Sequence, residues 1–86
     1  MPIYREIGIV THYYNRINVA AMLIKEGEIR LGDTIHISGN TTDIVQKVNS
    51  MQIERSSIDK ALSGQEIGMK VDNSVRVNDI VYLVEE

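Results

Sequence analysis

The chain is 86 residues long and has no cysteine, so it forms one small domain (residues 1–86) whose core must close without disulfides. Nine basic and twelve acidic residues are interspersed and leave a net charge of −3, which argues against a surface held to nucleic acid by bulk electrostatics. The longest apolar run, Val19 to Ile24, falls far short of the roughly 20 residues of a membrane helix, and the first residues carry no apolar signal core. A soluble cytoplasmic protein is the expectation.

Apolar residues at alternate positions (Ile3, Ile7, Ile9, Tyr13) predict a first strand over 3–13. Ile17, Val19, Ala21 and Leu23 predict a second over 17–24 with the odd residues inward, after a turn at Tyr13–Arg16. That parity leaves Ala20, Met22 and Ile24 as a candidate apolar partner patch on the outside. A third strand is expected over 34–38, and Gly39-Asn40 is a two-residue hairpin signal. The fourth, over 42–54, changes phase between Val48 and Met51, which predicts a bulge near Asn49-Ser50. Ser57 and Gly64 could cap a single helical turn whose Ile58, Ala61 and Leu62 cover a barrel mouth. Strands over 66–71 and 80–84 complete the set. Six strands with short loops and a thin core predict an all-β fold, a closed six-stranded barrel without exposed edges.

One phrase occurs twice. Ile29-Arg30-Leu31-Gly32-Asp33-Thr34-Ile35-His36-Ile37 and Val75-Arg76-Val77-Asn78-Asp79-Ile80-Val81-Tyr82-Leu83 share apolar, Arg, apolar, Gly or Asn, Asp, and an alternating strand. Gly and Asn both visit the left-handed backbone region, so each copy reads as a tight turn that launches a strand. The first copy, with Gly27, also has the outline of a phosphate-binding loop. It puts Asp33 where such a loop has lysine, and a strand follows rather than a helix, so no nucleotide is expected. Arg30 and Arg76 are expected to pair with nearby acids such as Asp33 and Asp79.

His12, Tyr14 and Arg16 are candidate contact residues for RNA or a protein partner, with Gln52 assisting, because stacking faces, a cation and hydrogen-bonding groups cluster there. His12 and His36 stand alone, without ligand spacing, so neither a metal nor a general-base role is expected. No catalytic motif and no cofactor-binding motif is present, and the chain is read as non-enzymatic.

Four segments in order carry a family resemblance. They are Gly27-x-Ile29-x-x-Gly32-Asp33-x-Ile35-x-Ile37, Val48-x-Ser50-Met51-Gln52-Ile53, Ala61-x-x-Gly64-x-x-Ile67-Gly68-Met69-Lys70-Val71 and Val77-Asn78-Asp79-x-Val81. With these the chain resembles domain 2 of translation elongation factors such as EF-Tu, and most of all stand-alone translation elongation factor-like proteins. It is similar also to the barrel that ends many collagenase-like peptidase family proteins. The resemblance implies a six-stranded Greek-key barrel without a GTPase domain. The function expected from it is a non-catalytic module that binds RNA (tRNA or rRNA) in translation or RNA modification. The alternative is a protein-interaction module acting in trans with a catalytic partner.

Overall fold

The computed structural model describes residues 2–85 and is all-β. Its strands are β1 (Ile3–Tyr14), β2 (Val19–Ile24), β3 (Glu28–Arg30), β4 (Thr34–Ser38), β5 (Asp43–Lys47), β6 (Met51–Ile53), β7 (Ser56–Ile58), β8 (Lys60–Leu62), β9 (Glu66–Lys70) and β10 (Ile80–Glu85). Eight of them form one antiparallel sheet in the order β5-β4-β10-β1-β2-β9-β6-β7, and β3 pairs with β8 apart from it.

The expected closed barrel of six strands is corrected here. The strands are more numerous, with the expected 42–54 strand split into β5 and β6, and no ladder joins β5 to β7, so the sheet is not closed. A side chain spans part of that gap. Buried Gln46 on β5 donates from Nε2 to Lys70 O (3.1 Å), and its Oε1 accepts from Asp72 N–H (2.9 Å). An amide side chain thus does, at one point, what a neighbouring strand would do along its length.

The repeated phrase is one structure built twice. In the first copy the Asp33 carboxylate accepts from Arg30 N–H (2.8 Å), and Asp33 N–H returns a bond to Arg30 O (3.1 Å). Asp79 and Arg76 repeat both bonds at 2.8 and 3.1 Å. Gly32 and Asn78 hold φ of 91° and 77°. Gly32 N–H donates to Val48 O and Val48 N–H to Asp33 O; Asn78 and Val10 make the matching pair of bonds with Val10 and Asp79. The strands that follow also correspond, for Thr34 faces Lys47 across β4–β5 as Ile80 faces Ile9 across β10–β1. The arginine heads do not meet these aspartates as expected. The carboxylates serve backbone N–H groups, and the Arg30 guanidinium lies 3.5 Å from Glu28.

Two other expectations change. In place of a helical turn at 56–64 stand β7 and β8. One helical turn would have left most of its backbone groups unpaired, whereas β3 offers β8 a ladder that buries Ala61 opposite Ile29. The phase change between Val48 and Met51 is present, but a break carries it instead of a bulge: residues 48–50 leave the ladder, and Val48 bonds to the first turn.

Among the described residues sixteen buried apolar ones form the core, including Ile7, Val10, Met22, Ile24, Ile35, Ile37, Ile67, Met69 and Val81. In β1 the register shifts between Glu6 and Gly8 and again between Val10 and His12, so alternation fails there. Ile7 and Val10 are buried, while Ile3 is 61% exposed.

Candidate docking face

Ala20, Met22 and Ile24 are fully buried, so the expected apolar patch on their side of β2 does not exist. Val19-Ala-Ala-Met-Leu-Ile24 is apolar on both faces, and nothing in it says which face is inside. The neighbours decide: Met22 lies between Val10 of β1 and Ile67 of β9, both buried. The odd residues Val19, Ala21 and Leu23 therefore face outward and are half-buried.

That reversal creates a trough on the outer face. One cross-strand row runs His12, Ala21, Gly68, Gln52, Ser57 over β1, β2, β9, β6 and β7. Its middle is low because Ala21 and Gly68 are small. Beside it stands the row Tyr14, Val19, Lys70, and on the other side Leu23 faces Glu66. The hollow measures about 410 Å³, with Tyr14, Ile17, Val19, Gln52, Arg55 and Glu66 around it. The reach from His12 to Gln52 is three strand spacings, about 14 Å. Two residues 40 positions apart in the chain thus bracket one surface.

Tyr14 is 49% exposed, and its ring lies 4.3 Å from that of His12, tilted by 52°. Arg16 joins His12 and Tyr14 around an adjacent hollow rather than the trough itself. Thr11 Oγ1 donates to Glu66 Oε2 at 2.7 Å and steadies the far wall. The floor strands β2, β9 and β6 all lie inside the sheet, so their backbone groups are already paired. A ligand here must be held by side chains.

The structure adds residues that sequence reasoning missed. Ile17 is 57% exposed at the trough mouth, where alternation had placed it inside. Glu54 and Arg55, at the rim, hold φ of 48° and 69°, two successive left-handed residues in the β6–β7 hairpin turn. Such turns favour Asn-Gly, and each larger side chain costs about 1–2 kcal/mol there. No sequence signal announces a Glu-Arg turn of this kind.

His36 lies elsewhere, on the outer face of β4. Its Nε2 is 2.6 Å from Asp43 Oδ1, and its ring meets Tyr4 edge-on at 5.4 Å. Among the described residues no three His, Asp or Glu side chains converge, and no helix is long and apolar enough to cross a membrane.

Comparison with known proteins separates the two resemblances. No family model matches the chain. It is 39% identical over 82 residues, 94% of its length, to an uncharacterized protease of Methanocaldococcus jannaschii, and 39% identical over 77 residues to a collagenase of Porphyromonas gingivalis. The chain spans about a fifth of the length of these curated relatives, 20% and 21%. Its fold matches the C-terminal domain of a Geobacillus thermoleovorans protein assigned to the U32 peptidases. The TM-score is 0.84 over 92% of this chain and 91% of that one, at 18% identity.

These findings overturn the reading as a translation module that binds RNA; the relatives are peptidase-family proteins. The physical reason is visible in the residues that suggested the elongation factor. Ile29, Ile35, Ile37, Val48, Met51, Ala61, Ile67, Met69, Val71 and Val81 are core, Gly27, Gly32 and Gly64 hold positive φ, and Asp33 and Asp79 tie the turns. They specify a scaffold, and a scaffold is shared by modules with different ligands.

Proposed function

We propose that this chain is a non-catalytic module of the U32 peptidase type, which docks on a larger catalytic polypeptide through the face of His12, Tyr14, Arg16 and Gln52. One observation carries the reading: 94% of the chain matches, at 39% identity, about a fifth of a far longer protein named as a protease. The rest of such a protein is where its chemistry would lie, and this segment is what remains beside it. The face suits a protein partner. It combines exposed Tyr14 and Ile17 with both Arg55 and Glu66, an apolar centre with a mixed polar rim.

The test is a titration of isotope-labelled chain with the Porphyromonas gingivalis collagenase from which the matched segment has been deleted. Amide shifts should concentrate at His12, Tyr14, Arg16 and Gln52, and Tyr14→Ala should weaken binding by about tenfold or more. No shifts, or shifts confined to the His36 side, would overturn the proposal.

A further inference from the structure

The sheet has two edges, and they are unlike. β7 is three residues long and follows the strained Glu54-Arg55 turn. β5 is five residues long, Asp43-Ile44-Val45-Gln46-Lys47, and among the described residues no strand lies beyond it. Its flanking bonds fix which backbone groups are free. Thr42 O accepts from Gly39 N–H, and Val48 N–H donates to Asp33 O, so the even residues turn their backbone toward β4. Antiparallel alternation then directs the N–H and C=O groups of Asp43, Val45 and Lys47 out of the open edge. Among the described residues no backbone hydrogen bond beyond the β4–β5 ladder engages Asp43 or Val45, and Lys47 O receives one long contact, 3.4 Å, from Gln46 Nε2. Val45 is 60% exposed.

We propose that β5 is a self-pairing edge: two copies of the chain join β5 to β5 antiparallel about a two-fold axis at Val45, so that one sheet continues into the next. The register follows from charge. Centred on Val45, the pairing sets Asp43 of each copy opposite Lys47 of the other, and both side chains stand on the same outer face as Val45. A register centred on Asp43 sets carboxylate against carboxylate, and one centred on Lys47 sets ammonium against ammonium. Asp43 keeps one carboxylate oxygen on His36 and has the other for the second copy's lysine. All three outward-facing residues then exchange backbone bonds with their mates, about six in total. Five-residue edges bury much less than the roughly 1,200–2,000 Å² of a stable interface, so the association is weak and concentration-dependent. This inference does not rest on the peptidase reading.

Sedimentation equilibrium from low micromolar to millimolar chain, with amide hydrogen exchange at both ends of the range, tests it. A monomer–dimer equilibrium is expected, with the Asp43, Val45 and Lys47 amides slowing as concentration rises while Ile44 and Gln46 do not change. Val45→Lys should weaken the dimer at least about tenfold without unfolding the monomer, because the side chain is already exposed. Lys47→Asp should also weaken it, and adding Asp43→Lys to that variant should restore it. A monomer at millimolar concentration, or a dimer indifferent to Val45→Lys, would overturn the proposal.

Discussion

The pairs β4–β5 and β10–β1 are the same piece of structure in two settings. Each begins at an Asp-tied turn, and each places a valine against that turn, Val10 within β1 and Val48 just past the end of β5. What differs is the far side of the second strand. β1 is continued by β2, where Gly8 faces Ile24. β5 is continued by no strand, and Gln46, the counterpart of Gly8, reaches with its side chain to Lys70 and Asp72 instead. One fold unit therefore ends in a ladder and its twin in a clasp beside an open edge. The turn and the first strand are fixed scaffold, and the boundary of the second strand is where the two halves are free to diverge.

The largest expected effect falls on the ladder side. A Cβ on Gly8 would drive into the backbone carbonyl of Leu23, which cannot move without parting β1 from β2. Gly8→Ala should cost about 3 kcal/mol or more in urea unfolding. On the clasp side Gln46→Leu should cost less, about 1–3 kcal/mol, because it orphans Asp72 N–H but breaks no strand pairing. Equal losses at the two positions would break the comparison.

The turns themselves come next. Asp79 is 5% exposed and packs against Gly39, while Asp33 is half-buried. Asp79→Ala should therefore destabilise by about 2 kcal/mol and Asp33→Ala by about 1, the deeper N–H being harder for water to reach. The smallest effect should be at the exchanged residue. Asn78→Gly should change stability by less than about 0.5 kcal/mol, and Gly32→Ala should lose about 1, because alanine meets the left-handed penalty that Asn largely escapes.

Much of this scaffold is legible in the chain. The doubled phrase, the strands after it and the phase change between Val48 and Met51 are all written locally, in turn chemistry and alternation. Gly39-Asn40 announces the β4–β5 hairpin but not its register, because Gly39 N–H donates to Thr42 O and the turn residues are Asn40 and Thr41. The strand β2 is legible too, but its inward face is not, because Val19–Ile24 is apolar on both faces and only its neighbours Val10 and Ile67 choose one. The bulges of β1 are equally silent. The candidate face is half legible: His12, Tyr14 and Arg16 cluster in sequence, while Gln52 lies far from them along the chain. That His12 and Gln52 share one row is a fact of register across four strands, which no local pattern encodes. The resemblance to elongation factors followed core and turn residues, which report the fold and not the ligand.

The most direct test of the account is a segment exchange in the Porphyromonas gingivalis collagenase, with this chain in place of the matched segment. The chimera should keep the enzyme's activity, and Tyr14→Ala with Gln52→Ala in the exchanged segment should remove most of it while the segment stays folded. A folded chimera as inactive as the enzyme lacking the segment, or one indifferent to those two substitutions, would contradict the account.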